Sequence, residues 1–454
     1  MYHLGMDEIY NIYEQGSAGH TGTASGADFS EIPAEPVGFD WLISVVDGIQ
    51  NLDPRYQARK DIFLNDADQV KERNALLNAL ETWSDVLQAS EKAGDMAAYC
   101  FAQANEQEAT IRENLLNMTH AVRPLEKTYR NAALFFANAG AEQVHNISFA
   151  NCSKEQLGDL NFPKFIDHLA EELKRNFDRI DLRNNYSIVA LSGYLGSNAV
   201  IEKWAKIAHQ NKAVIVTDFS DLDEVDDVLE MFELAGLSGG DIYRSSILMC
   251  CNWLVGRGKY EAIGEADDLH VPPSGALAGK LYSSQMSQVA AGKKFGIIEG
   301  VDGVKFQLKK SEVSVLEKMN IIPMVQQYGK VMACAAKTLF NGANLGLQVY
   351  SVVRVFDYVS KVLMDFLNRR AFENFNANIR KDLMAQIVKF LDSISGNGRL
   401  IEDFSVKRFE QDAAQKDKIH LDIHIKPYFP AKNFMIKMEG KKGEDGANWD
   451  TSYD

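Results

Sequence analysis

The sequence predicts an α/β (α+β) protein with mixed sheets flanked by helices, a helical amino-terminal region and strands at the carboxy-terminal end. Three observations carry that expectation. First, the stretch from Tyr186 to Gly236 reads YSIVALSGYLG, NAVIEKWAKIAHQN, KAVIVTDFS and EVDDVLEMFELAG in turn. Strand, helix, strand, helix with short links is the pattern of a parallel α/β unit. Second, residues 66–118 read as helices, with Leu76, Leu77, Leu80, Trp83 and Leu87 at a 3.6-type spacing. Third, Ile419 to Ile425 and Phe434 to Met438 alternate as strands do.

Each element follows in chain order. MDEIYNIYE places Met6, Ile9, Tyr10 and Tyr13 on one side of a short helix, and Gly16 to Asp28 is a small-residue, polar tether. That helix is either bait for a partner or a segment that frays or docks on its own domain. Order is expected from Phe39 onward, where FDWLISVVDGI is apolar throughout. Pro124 is expected to interrupt or restart the helical region. Phe165, Leu169, Leu173 and Phe177 mark one face of a helix over 162–177. SSILMCCNWLV reads as a buried strand, and VPPSGALAGKL as a rigid entry into a tightly packed turn or helix.

Phe306 to Leu308 reads as strand-like and Glu312 to Met319 as helical. Asn320 to Val325 reads as a strand that begins with a turn. Helices follow over 352–367 and 383–391, the second closed by Ser395-Gly396-Asn397-Gly398. The domain reading is therefore a flexible tail over 1–38, a helical region over 39–130 and an α/β domain over 131–330. A carboxy-terminal core with terminal strands covers 331–440, and a polar tail expected to lack order covers 441–454.

Composition narrows the function. A chain of 454 residues, 46% of them hydrophobic, can build two to four compact units. A net charge of −15 argues against nucleic acid as the main partner. No run of 18 apolar residues is present, so no membrane insertion is expected. MYHLGMDEIYNIYEQ has neither the basic nor the apolar region of a signal peptide. Cys100, Cys152, Cys250, Cys251 and Cys334 form no CxxC pair, which fits a reducing cytoplasm. Cys250 and Cys251 close an apolar run and read as small buried hydrophobes.

Three constellations invite a catalytic reading. Gly193-Tyr194-Leu195-Gly196 lies between a strand and a helix, but matches no phosphate-loop pattern and reads as a tight turn. Asp218 ends a strand ahead of Asp221, Asp223, Glu224, Asp226 and Asp227. Strand-end acids can hold Mg²⁺ or a ribose, but acids before a helix also complement its dipole. His420, Asp422 and His424 share one strand face at ligand-like spacing, yet their alternation with Ile419, Leu421, Ile423 and Ile425 explains them as the polar face. GxSxG, HExxH and paired-carboxylate motifs do not occur. No catalytic residue, metal or cofactor is therefore assigned, and an α/β nucleotide- or metal-dependent enzyme is the remote alternative.

The second half of the chain resembles the contractile tail-sheath superfamily in a consistent order of segments. These are the apolar strand Ile247 to Leu254, Val271-Pro272-Pro273-Ser274-Gly275 leading to Ala278-Gly279, and Leu316 with Asn320 to Ile322. Tyr328-Gly329, Ala335 to Leu339, Arg354 on its helix, Phe372 to Asn378, the Gly396–Gly398 turn and the strand ending at Phe404–Val406 come next. Ile425-Lys426-Pro427 and Pro430 to Phe434 close the series. With its helical front end, the chain looks like the large sheath subunit of type VI secretion systems, in the lineage found in Bacteroidetes. A single-chain phage-type tail sheath is the closest alternative.

The resemblance implies a phage tail-sheath-like core and a cytoplasmic structural protein. It implies pairing with a small sheath subunit, polymerisation with copies of itself around an inner tube, and release at a baseplate. It also implies that an AAA+ unfoldase grips the helix of Met6, Ile9, Tyr10 and Tyr13 after contraction. Ile419, Leu421, Ile423, Ile425, Phe434, Ile436 and Met438 would lie on inter-subunit strands, because open strand edges are docking sites in a lattice. The competing reading of those runs is a two-stranded closure of the chain's own core.

Overall fold

The computed structural model describes residues 49–89, 91–140, 144, 147–179, 182, 185–431, 436–441 and 448–453. The helix of Met6, Ile9, Tyr10 and Tyr13 and nearly all of the Phe39–Ile49 run lie outside the described residues. The chain divides into two compact units, Met1–Asn114 and Leu115–Asp454. Among the described residues no helix is long and apolar enough to cross a membrane.

The first unit is helical. Its described elements are α1 (Gln57–Asn65), α2 (Val70–Ala89) and the first part of α3 (Ala93–Ala139). Val86 and Cys100 form a small core with Trp83 and Met96 packed against it. The expected apolar stripe is corrected here. Leu76, Ala79 and Val86 are buried, whereas Leu77, Leu80 and Leu87 are exposed. The two sets are offset by one residue, so α2 carries two neighbouring apolar stripes and turns one of them inward.

In the second unit α3 runs unbroken through Pro124, where an interruption was expected. A proline inside a helix costs about 3 kcal/mol through a lost hydrogen bond and a steric clash. Its neighbours supply compensating anchors. Arg123 pairs with Glu265, and Glu126 accepts from Arg257 at 3.0 and 3.1 Å. Arg257 also reaches the buried Glu265 at 2.6 Å, and Arg130 donates to the Gly256 carbonyl at 2.9 Å. Charge-assisted bonds of this kind hold both sides of the proline in register.

The main sheet has six strands in the order β1-β2-β3-β8-β9-β6. They are β1 (Ile188–Leu191), β2 (Val214–Asp218), β3 (Ile247–Cys251), β8 (Ile322–Gln327), β9 (Lys330–Ala333) and β6 (Ile297–Ile298). The first four run parallel, and β9 and β6 join antiparallel. Helix α6 (Asn198–Gln210) links β1 to β2, and α7 (Val225–Ala235) links β2 to β3. The strands read as continuous apolar runs because both sheet faces are covered. Val214, Val216, Leu248 and Cys250 enter one core. Ile215, Ile247, Met249 and Cys251 enter the other, beneath α5 (Lys164–Phe177), α6 and α7. The adjacent cysteines thus face opposite cores, both fully buried.

A three-stranded antiparallel sheet, β5-β4-β7, joins β4 (Leu254–Arg257), β5 (Leu269–Val271) and β7 (Gly303–Val304). The expected strand at Phe306–Leu308 is not formed. The backbone of Phe306 bonds instead to the side chain of Asn252, through its carbonyl at 2.8 Å and its N–H at 3.2 Å. VPPSG leads directly into α8 (Ser274–Ser283), seven of whose ten residues are buried. Gly275 and Gly279 are where α8 meets α3. A Cβ on Gly275 would lie 2.3 Å from Asn131 Oδ1, and one on Gly279 would lie 2.4 Å from the Phe135 carbonyl oxygen.

The glycine turn, Asp218 and α8 form one buried knot. Asp218 accepts from the Gly193 N–H and the Ser274 N–H, both at 2.8 Å, and Thr217 Oγ1 donates to the Gly193 carbonyl at 3.0 Å. Gly193 and Gly196 both hold positive φ, at +84° and +101°, which glycine adopts without strain. Asp218 is 0% exposed, so its carboxylate ties scaffold elements together. Burial pushes this carboxyl up to about 7, against the pull of the Ser274 and Gly193 hydrogen bonds. A folded-state value above the unfolded one means that the folded chain holds the extra proton between about pH 4 and 7. The stability from this group is complete below that window and is withdrawn as pH rises through 7. Wild type should therefore lose about 2–3 kcal/mol relative to Asp218→Asn between pH 5 and 8, by the linkage relation. Denaturant melts at both pH values check this; a gap that does not change with pH contradicts it.

Candidate assembly site at the carboxy-terminal strands

The carboxy-terminal part of the second unit has its own core. Helix α11 (Tyr350–Arg369) starts in the main core and ends in this one. Arg354, nearly enclosed, donates to the Leu281 carbonyl of α8 at 2.8 Å, and burial pulls its guanidinium down to about 10. Lys361 Nζ donates to the Tyr186 carbonyl at 2.8 Å, just ahead of β1. Helix α12 (Ala377–Ile394) is capped by Asn376, whose side chain accepts from the N–H groups of Asn378 and Ile379. Val355, Val359, Leu363, Leu383, Ile387 and Leu391 from these two helices meet Ile401 and Phe409.

Ile401 and Phe409 belong to β10 (Ile401–Gln411), which pairs antiparallel with β11 (Ile419–Pro427). The turn between α12 and β10 uses Gly396 and Gly398 at φ +108° and +74°. Tyr428 Oη donates to the Gly396 carbonyl at 2.8 Å and so fastens the end of β11 to that turn. Leu421, Ile423 and Ile425 are half-buried against the core, while Ile419 is 40% exposed. The apolar face of β11 therefore packs on the chain's own core. Its edge is a separate matter, because edges present backbone groups and not side chains.

Among the described residues β10 and β11 form a two-stranded sheet, with one further bridge from Ile401 of β10 to Ser395, so β11 has one edge without a strand. The ladder fixes which groups face outward. Asp412 N–H donates to the Lys418 carbonyl at 2.8 Å, the last rung that sets the phase of the ladder, while the Lys418 N–H turns into the loop and donates to the Gln415 carbonyl at 3.0 Å. The alternation of an antiparallel ladder then turns the backbone groups of Ile419 and Leu421 away from β10. A second two-stranded sheet pairs β12 (Ile436–Lys441) with β13 (Asn448–Tyr453). Ile436 and Met438 lie on β12, and Phe434 lies outside the described residues. The structure thus places the predicted strand residues in two separate sheets. Strand β13 also corrects the tail expected to lack order. Trp449, Thr451 and Tyr453 alternate there, and all three residue types favour strands.

His420 of β11 has a structural role. His420 Nε2 meets Asp412 Oδ2 at 2.7 Å, and Asp412 also accepts from the N–H groups of Ala414 and Gln415 at 2.8 and 2.9 Å. The His420 contact, with those two backbone donors, holds the Asp412 carboxyl well below the usual carboxylate range. This cluster pins the hairpin tip, and His424 is exposed on the same strand. Sequence reasoning missed Asp412. Its signal was a strand-end Asp followed by a short polar loop, the signature of an Asx turn.

Three consecutive stretches of the chain match family models. Residues 30–115 match the TssC/VipB-like N-terminal region, 117–341 the type VI secretion system TssC/VipB central domain, and 349–454 the TssC/VipB-like C-terminal domain. The matches define a component of the type VI secretion apparatus, of the contractile-sheath class. The chain belongs to the TssC/VipB family. No curated protein matches the chain.

Solved structures similar to it include the helical sheath of the anti-feeding prophage in the contracted state, at 15% identity and TM-score 0.43. That match covers 65% of this chain and 76% of the other. The contracted sheath of an extracellular contractile injection system, PVC, is 13% identical at TM-score 0.44, covering 64% and 87%. A chain of the anti-feeding prophage baseplate is 14% identical at TM-score 0.42, covering 54% of this chain. The present chain spans 65% of that baseplate chain's length.

Proposed function

We propose that this chain is the large subunit of a type VI contractile sheath. In this reading it pairs in the cytoplasm with a small sheath subunit, and the pairs polymerise as a helical sheath around an inner tube. The observation that supports it most is the β10–β11 hairpin. It is packed on α11 and α12 on one side, and the outward backbone groups of Ile419 and Leu421 are free to pair with a strand from another molecule. Backbone pairing of that kind keeps neighbours tied while they rotate past one another.

Contraction then needs no chemical step in this chain. An extended lattice is one packing and a shortened lattice another, and a few kcal/mol per subunit between bistable packings sums along a polymer. Asp218, the residue a nucleotide- or metal-dependent enzyme would need, is enclosed and bonded to two backbone N–H groups, which supports the structural reading. The test is purification after co-expression with the adjoining genes. A small partner recovered in near-equal amount with pelletable polymer is the expected result. A homopolymer of this chain alone decides for a single-chain sheath of the phage kind.

A further inference from the structure

The part of α3 that lies in the second unit has two contrasting faces. Its inner face is engaged along its length. Arg123 pairs with Glu265, Arg130 donates to the Gly256 carbonyl, and Asn131 Oδ1 accepts from the Gly275 N–H at 3.1 Å. Lys127 Nζ lies 5.6 Å from the centre of the Trp253 ring. The opposite face carries Leu115, Met118, Val122, Leu125 and Tyr129, all exposed, Leu125 at 72% and Tyr129 at 71%. They follow one another at spacings of 3, 4, 3 and 4 residues. That is the a/d repeat of a coiled-coil seam, which keeps one apolar stripe against a second helix.

The repeat reaches Phe136, seven residues past Tyr129, and there the chain covers it. Phe149, ahead of α4 (Lys154–Gly158), holds its ring 6.1 Å from that of the half-buried Phe136. The five residues before Phe136 stay bare. The positions beside the stripe hold no uncommitted charge. Thr119, Ala121 and Thr128 are neutral, and Glu126 is paired with Arg130 at 2.8 Å and Arg257 at 3.0 Å. The five side chains expose on the order of 500 Å² of apolar surface. A matching helix would raise the buried total to about 1,000 Å², the size at which specific interfaces begin.

We infer that this stripe is the seat of an apolar helix of the small sheath subunit. The inference rests on the sheath reading and names where the two subunits meet. A 3–4 repeat selects a helix as its cover. The same stripe of a second copy does not fit a sheath. Two identical patches that meet are related by a two-fold axis. Such an axis turns the second copy end for end along the tube or inside out around it, whereas all copies in a helical sheath face the inner tube alike. The cover must therefore be a different helix supplied once per chain, and the small subunit meets that requirement. With a neutral rim, packing and not charge holds the pair, so salt should not loosen it.

The test places the photoreactive p-benzoylphenylalanine at position 125, in the chain co-expressed with the adjoining genes. Irradiation should link this chain to the small subunit, within a segment whose apolar residues lie three and four apart. Leu125→Glu combined with Tyr129→Glu should cut recovery of the small subunit tenfold or more, and high salt should leave wild-type recovery unchanged. Both positions are exposed, so the double variant should keep the wild-type melting temperature; if it melts lower, the adduct decides alone. Adducts to a second copy of this chain, or wild-type recovery from the folded double variant, overturn the inference and leave the sheath reading standing. If no small partner is recovered with the unsubstituted chain, the sheath reading fails and the seam falls with it.

Discussion

Gly279→Val should lower the melting temperature of the chain by on the order of 5–10 °C, the equivalent of about 3 kcal/mol. Gly275 and Gly279 lie four apart on one face of α8, where the backbone of α3 presses against them. At Gly279 a Cβ would sit 2.4 Å from the Phe135 carbonyl oxygen and 3.0 Å from Asn138 Cβ. At Gly275 it would sit 2.3 Å from Asn131 Oδ1 and 2.4 Å from the Asn131 carbonyl oxygen. Carbonyl oxygens of a helix cannot swing aside as a side-chain end can, so the two helices must separate.

Helix propensity acts in the opposite direction. Alanine is better than glycine in a helix interior by about 1 kcal/mol. Gly279→Ala should therefore destabilise if the close packing governs, and stabilise if it does not. Thermal melts of the alanine and valine variants against wild type decide between the two. The loss should also reach assembly, because Arg354 of α11 is tied to the Leu281 carbonyl on the same helix as these glycines.

The second large effect concerns the polymer and not the fold. Ile419→Pro should leave the chain folded and remove most pelletable polymer. Ile419 opens β11, where proline is tolerated, and its N–H faces away from β10. It is 40% exposed, so little packing is lost. In the assembled state the same change removes a donor and leaves a partner acceptor unpaired, a penalty of about 1–3 kcal/mol at each contact. That is about a 5- to 150-fold weakening per contact, repeated at every subunit. Sedimentation of co-expressed wild type and variant checks it, with circular dichroism as the control for folding. Polymer yield equal to wild type would show that the outer edge of β11 is not an assembly edge.

Much of this architecture could be read from residues alone, and the reasons are physical. The run from β1 to β3 was legible because β2 and β3 are buried on both faces and each helix keeps one apolar stripe. VPPSGALAGKL announced a close-packed helix through its small residues, though not the helix it packs on. That partner, α3, lies more than a hundred residues earlier, and no local pattern encodes such a contact.

The misreadings have causes of the same kind. Pro124 was expected to break a helix, but charged pairs from a distant hairpin hold the helix on either side of it. Leu77, Leu80 and Leu87 share a period with Leu76, and period alone does not choose between two adjacent stripes. Strand β10 extends past Val406 to Gln411 because its register shifts between Val406 and Arg408. A one-residue bulge moves the next inward residue to Phe409, three positions on, where strict alternation loses the strand. Asp218 invited a ligand-binding reading from its place at a strand end, and only its two backbone partners reveal its role in the scaffold.

The most direct measurement is a cryo-electron microscopy map of the polymer formed by this chain and its small partner, at a resolution that separates strands. The account predicts a strand from another molecule running beside β11, in hydrogen-bond register with Ile419 and Leu421. A polymer in which that edge faces solvent, or a co-expressed chain that stays monodisperse and forms no tubes, would contradict it.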